Sequence, residues 1–340
     1  MTRDTALEVA ATGGAQEDVP DEPAPASEAL APAAVPRALG DTGVIVSPVG
    51  LDGAVFGWAA GVADSARSLE VYVESGGNFI STADHYAGGR SEIMIGSWLR
   101  GVRDRSSLVI ETRVGKHPDA AGLSKRSMLR AVENSLTRLG TDYVDFLSFD
   151  GEDAETPIEE SLETGQRLIS EGKVRFLSAF RIGADGIREV QRRSEETGGP
   201  RFRALLVEYN LMERERYETE IQPLAVETGR GALARLPLAQ GYLSGNLRAG
   251  DDASHGVMFD DAARHVGRRG DRILAALATV AKELGETSTT VALAWVLVKP
   301  GIASAILRAG DADDLSLALR AVNVRLARHH VALLDRVSAT

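Results

Sequence analysis

From Arg37 onward, short runs rich in β-forming residues alternate with longer amphipathic stretches, and this alternation is the sequence form of repeated βα units around a parallel sheet. Parallel neighbours cannot be joined by a tight turn, so each strand needs a crossover that a helix supplies. The strand candidates are Ala54–Phe56, Asn78–Ser81, Leu108–Thr112, Val144–Ser148, Val174–Ala179, Ala204–Glu208, Ala232–Leu236 and Ala303–Ile306. They number eight, as in a barrel. The intervening helices carry their own punctuation. Ser124 is placed to cap a helix whose apolar face (Met128, Leu129, Val132, Leu136, Leu139) recurs at helical spacing, and Gly140 follows as its left-handed stop. Thr156-Pro157 opens the next helix with Pro in its first turn. Ahead of the first barrel strand, Arg37–Gly40 and Val44–Ser47 flank Asp41-Thr42-Gly43, which predicts a hairpin across the barrel floor.

Residues 1–36 are rich in Ala, Pro and acids, with Arg3 the only basic residue before Arg37. Such a composition cannot offset ordering entropy by burial, which predicts a disordered leader followed by one domain over 37–340. A formal net charge of -11 argues against nucleic-acid or anionic-membrane partners and leaves small-molecule chemistry as the default. The absence of cysteine excludes disulfides and thiolate catalysis, and the six histidines have no metal-ligand spacing. Nothing approaches the about 18 to 20 apolar residues of a membrane span, and the start lacks the form of a signal peptide, so a cytoplasmic location is expected. Oligomeric state is not legible.

Several segments, in order and spacing, resemble the aldo-keto reductase superfamily. They are Arg37-Ala-Leu-Gly40, Asn78-Phe-Ile-Ser-Thr-Ala-Asp-His-Tyr86, Gly89-Arg-Ser-Glu92, Leu139-Gly-Thr-Asp-Tyr-Val-Asp145, Gly172-Lys-Val-Arg175, Glu208-Tyr-Asn-Leu211, Pro237–Gly245 and Leu293-Ala-Trp-Val296. The resemblance spans nearly the whole domain. It implies a parallel (β/α)8 TIM barrel with an N-terminal hairpin, and an active site at the C-terminal ends of the strands.

The resemblance also implies a tetrad: a tyrosine that protonates the substrate carbonyl, a lysine that tunes it, an aspartate that pairs with the lysine, and a histidine that orients the carbonyl while NADPH delivers hydride. Onto this sequence it carries Tyr86 as the tyrosine, Ser81 at the aspartate position, Arg113 at the lysine position and Asp150 at the histidine position. The chain thus departs from the pattern at Ser81, Arg113 and Asp150. Arginine keeps its charge and cannot relay protons. Asp84 is in the wrong register to replace the lost aspartate, and Lys116 projects elsewhere. One reading moves the carboxylate across the pocket, with Asp150 pairing bidentately with Arg113 beside Tyr86; the other makes that pair a relict salt bridge in an unused mouth.

The cofactor segments that the resemblance implies are altered as well. Ser178-Ala179-Phe180-Arg181 stands where Gly-Val-Ser-Asn usually holds the nicotinamide amide, Leu206 where a glutamine does, and Arg308-Ala309-Gly310-Asp311 with Asp313, Asp314 and Ala318 where the adenosine phosphate is bound. The Pro237–Gly245 loop keeps much of the family form, with Asn246 following where a lysine is common. No cofactor is the leading expectation, with NADPH the alternative; if a dinucleotide binds, Leu238, Gln240, Gly241 and Arg308 are its contacts.

Three readings follow. The first is cofactor-independent acid/base chemistry (dehydration, cyclisation or isomerisation) on a carbonyl-bearing small molecule, with Tyr86, Arg113, Asp150 and Ser81 as the site. The second is an NADPH- or NADH-dependent reductase with an atypical tetrad. The third is a non-catalytic accessory subunit, as among the family's channel-associated β subunits. Phosphate loops and serine-hydrolase elbows have no matching context. The pairs Glu111 with Asp84 and Glu208 with Asp150 are remote glycosidase candidates.

Overall fold

The computed structural model describes residues 35–245, 262–309 and 311–339. Nearly all of the expected leader, together with Asn246 and Gly310, lies outside the described residues. The expected hairpin is present: β1 (Arg37–Ala38) pairs antiparallel with β2 (Ile45–Val46). Eight parallel strands then close in chain order: β3 (Val49–Asp52), β4 (Phe79–Ala83), β5 (Val109–Val114), β6 (Val144–Asp150), β7 (Val174–Phe180), β8 (Phe202–Glu208), β9 (Gly231–Arg235) and β10 (Ile302–Arg308), with β10 pairing back onto β3. The fold is the α/β (β/α)8 barrel, with helices around the closed sheet.

The first barrel strand is Val49–Asp52 and not Ala54–Phe56, as the residue pattern suggested. The Asp52 side chain accepts the Ala54 amide at 3.1 Å and starts a short 3-10 helix over Gly53–Val55, so those backbone groups leave the ladder. The helix over Lys125–Leu139 has the expected caps, with Ser124 Oγ accepting from the Ser127 amide and Gly140 at φ 63°.

Because successive strand residues point to opposite faces, the barrel interior can be read as layers. At the floor, Leu39, Val44 and Val46 of the hairpin pack with Phe79, Val109, Phe146, Leu206, Leu233 and Ile306. Higher up, the buried residues turn polar: Asp52, Ser81, Glu111, Arg113, Ser148, Ser178 and Arg235. An apolar plug below and a polar layer above leave the chemistry at the C-terminal ends of the strands. The hairpin reaches the floor through Gly40, which has φ +60° and would place a Cβ 2.7 Å from the Gly231 amide nitrogen.

Outside the barrel, Glu92 explains the Gly89-Arg-Ser-Glu92 run. It is fully buried, accepts from Thr112 Oγ1 at 2.7 Å and pairs with Arg138 at 2.6 Å, tying helices Arg90–Leu99 and Lys125–Leu139 to β5. These helices touch backbone to backbone at Gly96, where a Cβ would lie 2.2 Å from the Arg138 carbonyl oxygen. No described helix is long and apolar enough to cross a membrane. Gly96→Ala is expected to lower unfolding free energy by about 2–3 kcal/mol, since only backbone movement makes room for the methyl group; equilibrium urea denaturation measures it.

Candidate functional site

Tyr86 leaves the end of β4 on a short turn whose next three residues, Ala87, Gly88 and Gly89, all have positive φ. The turn places the phenol over the barrel mouth. There Tyr86 Oη accepts from Arg113 Nη2 in a very short contact and from Arg235 Nη2 at 2.7 Å. Both contacts reach the oxygen as donors, so the phenolic proton is free to point at a third group.

Arg113 rises from the inner face of β5 and is fully buried. Its Nη1 donates to Ser81 Oγ at 2.9 Å and to Glu111 Oε2 at 3.3 Å, while Ser81 Oγ donates to the same Glu111 oxygen at 2.5 Å. Ser81 therefore hands the negative charge of its layer to Glu111, one strand away and directly opposite in register. Burial pushes the Glu111 carboxyl above its usual range, with Arg113, Ser148 and Ser81 working against that rise.

The central carboxylate is Asp52, at the end of β3. Its Oδ2 accepts from Arg235 Nη2 at 3.0 Å and from Arg308 Nε at 3.3 Å, and its Oδ1 lies 3.9 Å from Arg113 Nη2. Burial alone would raise this carboxyl, but Arg235, Arg308 and Arg113 outweigh it and hold the group at about 2, against an ordinary 3.8. Burial likewise works against the Arg235 charge, but Tyr86, Asp52 and Glu111 prevail, and its pKa is raised. Arg308 Nη1 also donates to Gln240 Oε1 at 2.8 Å.

Of the sequence-predicted residues, Ser81, Tyr86 and Arg113 are thus joined in one network and Asp150 is not. Asp150 Oδ1 takes Arg181 Nε at 3.0 Å and Nη2 at 2.6 Å, so the expected Arg113–Asp150 pair does not form. The physical reason is that Arg113 already faces Glu111 and Asp52, whereas Arg181, at φ 56°, turns back over the end of β6. Lys116 does project elsewhere: it lines a cleft of about 680 Å³ with Asp150, Asp153 and Ser124 outside the arginine network. No contact joins Glu111 to Asp84, or Glu208 to Asp150, among the described residues. Asp52 and Arg235 were missed. Asp52 lay just ahead of the misplaced first strand, and Arg235 sat in a strand run whose inward face was not separated from its outward one.

At the cofactor positions that the resemblance implies, the described residues differ from the usual contacts. Phe180 is buried, with the Arg235 and Arg113 guanidiniums 4.6 and 5.6 Å from its ring centroid. Arg181 is committed to Asp150, and Leu206 lies in the apolar interior. At the start of the helix Ala312–Leu319, Asp311 accepts the amides of Asp313 and Asp314, so donors that would meet a phosphate are already taken by a carboxylate. Gln240 is engaged by Arg308, Leu238 is buried, and Gly241 has open space around it. Elsewhere, Glu283, His329 and His330 come close enough to suggest a cation cluster despite their unremarkable spacing. His330 Nδ1 accepts the Ala327 amide, however, which leaves its proton on Nε2 facing Glu283 and makes it a helix cap.

The profile of the aldo/keto reductase family matches residues 54–339. A protein of Arabidopsis thaliana described as "Probable voltage-gated potassium channel subunit beta" is 31% identical over 299 residues, covering 84% of this chain and 90% of that relative.

Asp52→Asn is expected to cost about 3 kcal/mol of stability at neutral pH by leaving buried guanidiniums without their carboxylate. Because the folded pKa of Asp52 is depressed, its contribution of roughly 2 kcal/mol is present above 3.8 and is lost as pH falls toward about 2. Thermal unfolding across that window should therefore be flatter in Asp52→Asn than in the native protein.

Proposed function

This chain belongs to the aldo/keto reductase family, and we propose that it uses the barrel mouth for cofactor-independent acid/base chemistry (dehydration, cyclisation or isomerisation) on a carbonyl-bearing small molecule. The observation that carries this reading is the Tyr86 hydroxyl, which accepts from two guanidiniums while its own proton is uncommitted. Tyr86 gives that proton to the carbonyl oxygen. The phenolate left behind is held by Arg113 and Arg235, and the same residue takes a proton back in the second half of the reaction. Arginine suits this role better than lysine would, since it stays charged and acts only by its field and its donors. Ser81 and Glu111 position Arg113; Asp150 holds Arg181 rather than Arg113. A small-molecule enzyme of the cytoplasm is the setting we propose.

Family members usually bind NADP(H), so dinucleotide binding is the first measurement. The apolar side chains of Phe180 and Leu206, the Arg181–Asp150 pair and the Asp311 cap support the reading without it. Calorimetric titration with NADPH and with NADH is expected to give no saturable heat up to millimolar concentration; micromolar binding of either would sink the cofactor-free reading. Tyr86→Phe is expected to lower turnover of a carbonyl substrate by about 10²–10⁴-fold with an unchanged melting temperature.

A second reading rests on the Arabidopsis relative's description as a channel β subunit. There the barrel is an accessory subunit, and Tyr86→Phe leaves its function intact.

A further inference from the structure

The mouth network contains more positive charge than its carboxylates balance. Arg113, Arg235 and Arg308 face Asp52 and Glu111, and with both acids ionised the five groups carry one net positive charge, Asp52 being shared by the Arg235 and Arg308 guanidiniums. An uncompensated cation in a low-dielectric interior is costly and calls for an anion.

The free donors show where that anion would sit. Arg235 is 4% exposed, yet its Nε has no hydrogen-bond partner. Arg308 meets Asp52 through Nε and Gln240 through Nη1, its Nη2 has no partner among the described residues, and its side chain is 19% exposed. The two guanidiniums converge on the same oxygen, Asp52 Oδ2, so they flank one carboxylate at the mouth. Arg235 also donates to Tyr86 Oη, so its guanidinium bridges that carboxylate and the proton donor. Phe180 lies against Arg235 and offers an apolar wall.

We infer that the substrate is a keto acid, whose carboxylate lodges on the free edges of Arg235 and Arg308 and whose carbonyl, one or two carbons away, meets Tyr86. This rests on the acid/base reading of Tyr86 given above. The planar fork of arginine matches a carboxylate, and a single negative charge matches the surplus when Glu111 is ionised.

The test is isothermal calorimetry on the full chain at constant ionic strength, with pyruvate and acetoacetate as probes and acetone and inorganic phosphate as controls. The expected result is saturable binding of at least one keto acid and none of acetone, with phosphate weaker. Arg308→Gln should weaken keto-acid binding about tenfold, the loss of one charge-assisted contact. Gln240→Glu, which brings a carboxylate of the protein's own to Arg308, should weaken it similarly. Melting temperatures close to native in both variants exclude misfolding as the cause. Phosphate binding as tight as the keto acids, acetone binding equally well, no keto-acid binding, or full affinity in both variants would each overturn the assignment. Failure of the two readings is separable. A keto acid that binds but whose turnover ignores Tyr86→Phe removes the acid/base chemistry and leaves the anion site. A neutral ketone turned over through Tyr86, with no keto acid bound, removes the anion site and leaves the chemistry.

Discussion

The carboxylate of Asp52 is the interaction on which the barrel mouth depends. Three guanidiniums from β5, β9 and β10 approach an acid at the end of β3, with Asp52, Arg113 and Arg235 buried and Arg308 partly exposed. Such a cluster is tolerable only if each charge has partners, because removing water from an ion costs far more than any single contact returns. Closure of the sheet supplies the partners. β3 lies beside β10, which lies beside β9, and on its other side only β4 separates β3 from β5.

The altered tetrad reads differently once that cluster is in view. Ser81, at the position where the family has an aspartate, is no hole in the site, because Glu111 stands opposite it on the next strand and accepts from both Ser81 and Arg113. The negative charge has moved by one strand, and a second negative charge, Asp52, has joined from the other side. A lysine would need one such partner; an arginine with five donors needs several, and it has Ser81, Glu111, Tyr86 and Asp52 around it. The substitutions are thus mutually consistent, which marks them as a rebuilt electrostatic unit around the tyrosine.

The phosphate-facing end tells the same story through different physics. The helix beginning at Ala312 satisfies its first amides with Asp311, and burial, with the neighbouring acids Asp311 and Asp313, pushes the Asp314 carboxyl above its usual range. A helix start that caps itself with a carboxylate has fewer donors, and a less favourable charge, for an external phosphate. Arg308, just ahead of that helix, turns inward to Asp52 and Gln240.

Much of this was legible in the sequence. The alternation of strand runs and amphipathic stretches, the caps at Ser124 and Gly140, and the hairpin glycine and aspartate specify local structure, because they act through neighbours in the chain. The ordered family motifs likewise pointed to Ser81, Tyr86 and Arg113 as one site. What only the tertiary structure decided was partnership: that Arg113 faces Glu111 and Asp52 and not Asp150, that Arg181 claims Asp150, and that Arg235 and Arg308 converge beside Tyr86. These contacts join residues up to 256 positions apart. Their geometry is set by barrel closure and by the inward or outward sense of each strand position, and a one-residue change in where a strand begins reverses that sense. The sequence alone could therefore bring Ser81, Tyr86 and Arg113 to one site, while the closed barrel determined that Asp52 and Arg235 join them and which charged groups neutralise one another.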